Sequence, residues 1–198
     1  GADALIANQS GKNLTAIGVN ALACNTADNN TGIGVSALKE NVGGTQNTAL
    51  GGISLSSNTS GSRNTAAGFA ALESNTTGCD NTSVGRASMQ CNTEGSANTA
   101  VGRNALWVNT TGDVNVAVGK DALRCAQTAD NNVAIGVSAL RCNVSGNSNV
   151  AIGFEALCLN TSRNNTAIGS NAMKCNVGGC QNTAMGGAAL FCNNNGCC

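Results

Sequence analysis

The chain has 198 residues, Lys plus Arg and Asp plus Glu balanced at 10 each, no histidine and 2% aromatic residues. A balanced charge gives no field to gather nucleic acid or an anionic membrane, and so few rings give no stacking platform for single strands. No apolar run is long enough to cross a bilayer as a helix, and without His or Tyr the usual sets of nucleophile, base and stabiliser cannot be assembled. The composition therefore argues against nucleic-acid binding, membrane insertion and catalysis, and it implies no cofactor.

One phrase, Gly-x-x-Ala-Leu-x-x-Asn-x-x-Gly-x-x-Asn-Thr-Ala-Ile, recurs along the whole chain. Its opening glycines are Gly1, Gly18, Gly34, Gly51, Gly68, Gly85, Gly102, Gly119, Gly136, Gly153, Gly169 and Gly186. A fixed period of this size marks a solenoid whose units bury apolar side chains only by stacking on one another. The step is too short for two helices with their turns, and its apolar stretches are brief and bounded by Gly and Asn. These features predict an all-β fold: a parallel β-solenoid (β-helix or β-roll) of about twelve coils, one domain over 1–198, read as a segment of a longer fibre. At a rung spacing of about 4.8 Å the rod would be roughly 50 to 55 Å long.

Within each coil the first element after Gly is Ala-Leu, which predicts the opening of a short strand. Leu here forms a column through Leu5, Leu22, Leu38, Leu55, Leu72, Met89, Leu106, Leu123, Leu140, Leu157, Met173 and Leu190, preceded by a column of Ala or Ser. An Asn turn follows. One Asn column runs from Asn8 to Asn193, broken only by Ala126, and a second runs from Asn30 to Asn182. Stacked amides can bond one another and the turn backbone. Several of these residues, such as Asn58, Asn75, Asn109 and Asn160, also stand in Asn-x-Ser/Thr triplets, so glycan acceptors are the other reading. Last comes Asn-Thr-Ala-Ile, whose β-branched content predicts a strand, with Val for Thr at Val116, Val133 and Val150.

Adjacent strand residues face opposite ways, so in each small-aliphatic pair one member should point inward and one outward. Aliphatics inside would give a conventional core. Alanines inside would give a thin coil with two aliphatic stripes outside, and stripes of that length need a partner. The tighter size limit lies on the Ala columns, which favours the second register, with Ile135, Ile152, Ile168, Leu140 and Leu157 as interface residues between chains.

Eleven cysteines point to an oxidising compartment, and the odd number leaves one over. Cys24, Cys91, Cys125, Cys142, Cys175 and Cys192 share one column; Cys79, Cys180 and Cys197 share another across the Asn turn. Disulfide candidates are Cys175, Cys180, Cys192 and Cys197, with Cys125, Cys142, Cys79 and Cys91, running across turns or along the axis. Zinc held by four thiolates, or free thiols, are the alternatives. Cys158 and Cys198 lie off both columns, as a free or interchain thiol would. Arg86, Arg103 and Lys120 stack directly after Gly, as a charged edge that resists pairing or as a stripe for an acidic glycan.

The segments Asn98 to Leu106 and Asn165 to Met173 carry Asn-Thr-Ala-(Val/Ile)-Gly-x-x-Ala-(Leu/Met). This resembles the repeat of phage and virus tail-fibre proteins and is similar to the Asn-Ser-Val-Ala-Ile-Gly repeat of trimeric autotransporter adhesin heads. The resemblance implies a trimeric β-roll, self-association as a homotrimer or filament, and an extracellular, cell-surface or virion-surface location. It also implies attachment to a cell-surface glycan or host surface. A structural shaft is thus the expected function. An ice-binding solenoid is the alternative, suited by flat, weakly charged faces and opposed by a single Thr column that Val interrupts.

Overall fold

The computed structural model describes residues 1–193 and residue 196. It is a parallel β-solenoid. Each coil contributes one three-residue strand: β1 (Thr15–Ile17), β2 (Thr31–Ile33), β3 (Thr48–Leu50), β4 (Thr65–Ala67), β5 (Thr82–Val84), β6 (Thr99–Val101), β7 (Val116–Val118), β8 (Val133–Ile135), β9 (Val150–Ile152), β10 (Thr166–Ile168) and β11 (Thr183–Met185). They form one sheet in sequence order, every pair parallel and in register, as where Thr99, Ala100 and Val101 face Val116, Ala117 and Val118.

Strand alternation decides the register of the sheet. The middle residue points inward and is wholly buried at Ala49, Ala66, Ala100, Ala117, Ala134, Ala151 and Ala167, while Thr or Val before it and the aliphatic after it point out. The inward site is small because the Leu column packs directly beneath it. A Cβ placed on Gly32 would lie 3.2 Å from Leu22 Cγ, so a methyl nearly fills the space. Ser83 is tolerated there because its hydroxyl donates to the carbonyl of Ser88 (2.8 Å).

The Ala-Leu segment departs from expectation. It is a pair of turns, closed in one coil by Ala21 N to Gly18 O (3.4 Å) and Asn25 N to Leu22 O (3.1 Å), and the Leu column adopts left-handed φ, 53° at Leu22 and 50° at Leu140. A left-handed residue abolishes the alternation that a strand would impose. Both Ala and Leu therefore turn into the coil, and Leu22, Leu38, Leu106, Leu123, Leu140 and Leu157 are fully enclosed. Leu140 and Leu157 are core residues, not interface residues. The outside carries one aliphatic column instead of two.

Axial hydrogen bonds continue well beyond the strands: Ser36 N donates to Val19 O (2.8 Å), Leu22 N to Ala37 O (2.9 Å) and Cys24 N to Lys39 O (2.8 Å). Backbone groups in the turns are thereby satisfied by the neighbouring coil. The opening glycine is required for two reasons at once. Gly102 has φ of +136°, and a Cβ there would lie 2.6 Å from the carbonyl oxygen of Gly119 one coil on.

Candidate functional surface

The outward face of the sheet is the most regular surface of the rod. Over eleven strands its two columns hold only Thr, Val, Ile, Leu, Ala and Met, and every Lys, Arg, Asp and Glu lies elsewhere. Ile17, Ile33, Leu50, Val84, Val101, Ile135 and Met185 are exposed on it; Ile152 and Ile168 are half-buried. Of the interface candidates, Ile135, Ile152 and Ile168 thus share this face. Six successive strands, from Thr15 to Thr99, present threonine beside the aliphatic column. The chain then leaves the sheet through Gly, and the next residue flanks the face. That flank is apolar at Val19, Val35, Phe69, Val137 and Phe154 and basic in the middle, where Arg86, Arg103 and Lys120 are exposed on consecutive coils.

The Asn columns form ladders inside the opposite turn. Asn41, Asn58, Asn75, Asn92 and Asn109 each donate Nδ2 to Oδ1 of the Asn one coil earlier (2.6 to 2.8 Å), and Asn58 also donates to the carbonyl of Gly61 (2.9 Å). In the second column Asn47 N donates to Asn30 Oδ1 (2.9 Å), and Asn47 Nδ2 reaches Gly61 O (2.8 Å). Asn58, Asn75, Asn109 and Asn160 are wholly buried in this network, so the folded coil presents none of these four amides to a glycosylating enzyme.

The ladder lapses in the Gly119 coil. Ala126 stands in the Asn column and Ala129 in the turn-glycine column, both buried. Asn109 Oδ1 is left buried without a hydrogen-bond partner. Asn132 Nδ2 bonds Asp130 O (3.0 Å) and Asn115 Oδ1 (3.2 Å) instead of reaching the next coil's turn carbonyl as Asn115 does at Ala129 O (2.7 Å). The two alanines belong together. At Gly95 an added Cβ would lie 2.6 Å from Asn92 Oδ1 and 2.5 Å from Gly112 O, so the Asn side chain and a turn methyl compete for the same space.

On the far side of the turn, short acceptor side chains cap the backbone of the preceding coil. Cys79 N donates to Ser96 Oγ (3.0 Å), Ser96 N to Asp113 Oδ1 (2.6 Å) and Asp113 N to Asp130 Oδ1 (2.8 Å). The Cys79 sulfur plays the same part for Ser62 N (3.3 Å). Trp107 also belongs to an axial chain: Gln90 Nε2 donates to Glu73 Oε2 (2.6 Å), Trp107 Nε1 donates to Gln90 Oε1 (2.8 Å), and the Arg124 guanidinium lies 5.0 Å from the indole centroid. A recess of about 410 Å³ involving Asn147, Ser162, Arg163 and Cys180 lies where the Gly153 coil has one turn residue fewer than its neighbours.

Cys24, Cys79, Cys91, Cys125, Cys142, Cys158, Cys175 and Cys192 are thiols in this structure. Cys125 lies beside Cys142 on successive coils, and Cys192 is hydrogen-bonded to Cys175, which raises its pKa. Cys158 is buried, which withdraws it from bridging between chains. Cys197 and Cys198 lie outside the described residues. Among the described residues no group of three or more Cys, Asp or Glu converges on a metal-sized site. Comparison with protein-family models, with curated proteins and with solved structures found no match.

Proposed function

We propose that the chain is a structural rod whose uncharged sheet face packs against further copies, as a homotrimer or filament, forming the shaft of an extracellular or virion-associated attachment fibre. The observation that carries this reading is the exclusion of all 20 charged residues from a face eleven strands long. Eleven strands at about 4.8 Å give about 50 Å of length, and three residues at about 3.3 Å give about 10 Å of width, so the face offers on the order of 500 Å² per copy, and contacts beyond its edges would bring it to the ~800 Å² per partner of a standard interface. That is at the upper end of the roughly 300 to 600 Å² of the largest apolar patch on an ordinary monomer, a patch that is often an interaction site. The resemblance to tail-fibre and adhesin repeats supports the trimer and the fibre.

One observation favours a second reading, ice binding: the run of six threonines from Thr15 to Thr99 beside a flush aliphatic column, on a repeating lattice. Sedimentation of the purified chain separates the two. The fibre reading expects a trimer or larger assembly, converted to monomer by Ile135→Lys with Ile152→Lys while β circular dichroism persists. A monomeric parent chain that inhibits ice recrystallisation, with the inhibition lost in the same double variant, would overturn the fibre and establish the second reading.

A further inference from the structure

The cysteine pairs and the lapses of the Asn ladder coincide. Cys125 precedes Ala126, where the ladder has no amide, and Cys142 precedes Asn143, whose Nδ2 reaches Gly146 O (2.6 Å) but has no Asn before it to bond. Cys175 and Cys192 repeat the arrangement. They precede Asn176 and Asn193, and Asn176 Oδ1 is buried without a partner. By contrast Cys91 has no cysteine in its own column on either adjacent coil, where Ser74 and Val108 stand, and the ladder beside it is intact from Asn75 through Asn92 to Asn109.

We propose that Cys125 and Cys142 are a disulfide-forming pair, closed along the rod axis, that ties two coils together where the asparagine ladder has lost its rung. Cys125 N donates to Arg141 O (3.0 Å) and Cys142 N to Cys158 O (2.9 Å), which places the two cysteines in one column on consecutive coils. An axial repeat of about 4.8 Å falls inside the 4.4 to 6.8 Å window of Cα separations that a disulfide accepts. Both thiols are half-exposed and within reach of a small reagent, whereas Cys158 on the following coil is buried.

The co-reactant is a small-molecule disulfide of the glutathione class. The Cys125 thiolate attacks one of its sulfurs and expels a thiolate, giving a mixed disulfide. The Cys142 thiolate then attacks Cys125 Sγ and expels the second. The two protein thiol protons end on the two released thiols, so one protein disulfide forms for each reagent disulfide reduced. Burial raises the Cys125 pKa, an effect that Arg124 and Arg141 partly offset, so mildly alkaline solution speeds the first step.

The test is to incubate the reduced chain with oxidised glutathione, block remaining thiols with N-ethylmaleimide, then denature and digest with trypsin without reduction. Arg124 and Arg141 precede the two cysteines, so cleavage leaves them at the starts of separate peptides, 125–141 and 142–163. The expected product is these two peptides joined, lighter by two hydrogens, in a yield independent of protein concentration. The link should persist in Cys158→Ala and vanish in Cys142→Ser. Glutathione adducts or blocked thiols at both positions, a link from Cys125 to another cysteine, or a link between two copies would each overturn the pairing. The Cys158→Ala chain alone decides the matter if Cys142→Ser does not fold.

Discussion

Ala126 and Ala129 show that single residues in this rod are chosen in pairs. Ala126 removes the amide that would bond Asn109 Oδ1, and Ala129 fills the space that the missing side chain leaves. An unpartnered buried acceptor costs about 1 to 3 kcal/mol. Ala126→Asn alone should therefore destabilise, because its side chain meets the Ala129 methyl, while Ala126→Asn with Ala129→Gly should stabilise by about 1 to 3 kcal/mol. A double-mutant cycle by denaturant unfolding measures the coupling, and additive effects would refute it. Cys158 is a second case. Burial first, then the neighbouring Cys142 and Glu155, push its thiol from 9.0 up to about 11. The raised value means that folding favours the neutral thiol, so its contribution is complete below pH 9 and is lost as pH rises through about 11. Melting temperature should fall across that window, and less steeply in Cys158→Ala. At pH 8 iodoacetamide should modify exposed Cys24 and spare Cys158.

At the scale of the element, the strand was legible and the turn after it was not. Period, column identity and the smallness of the Ala sites favour Ala134 inward and Ile135 outward over the reverse register, and the sheet has them so. Ala-Leu carries no comparable signal. Leucine is an uncommon residue at left-handed φ, where Gly, Asn or Asp would advertise the turn, so the sequence suggests an alternation that this segment's backbone does not keep. A signal did exist two residues earlier. Asp3, Asn20, Asn104, Asp121 and Asn171 share a left-handed column, with φ between 54° and 58° at these five, and favour that conformation, and Asn13, Asn29, Asn131 and Asn164 mark the second such column. The ladder's break at Ala126 was visible in the sequence, but its compensation by Ala129 needed the distances. The energetic consequence is that the Leu column is the core. Leu123→Ala should cost about 2 to 5 kcal/mol, whereas Val118→Ala on the outward face should cost under about 1 kcal/mol in the isolated chain. Comparable losses at the two sites would mean that the sheet face is covered within one copy.

For the whole molecule the sheet face and the turns have opposite characters. Ile135→Lys with Ile152→Lys places two charges on a surface that has none while leaving the Ala and Leu columns untouched, so assembly and fold should separate in that variant. The turns, in contrast, tolerate a change of length. In the coils opened by Gly18 and Gly153 one turn residue is missing, and Asn25 and Asn160 simply bond the carbonyl two residues ahead, at Ala27 (2.8 Å) and Ser162 (2.7 Å), in place of the usual three. The adjoining strands stay in phase, Thr15 against Thr31 and Val150 against Thr166. The rod therefore behaves as a ruler that counts rungs and ignores how much chain is spent between them. Its graduations, about 4.8 Å apart, would survive grafts at the Asn turns, so one side can diversify or display foreign peptides at fixed intervals while the other side keeps an unbroken edge.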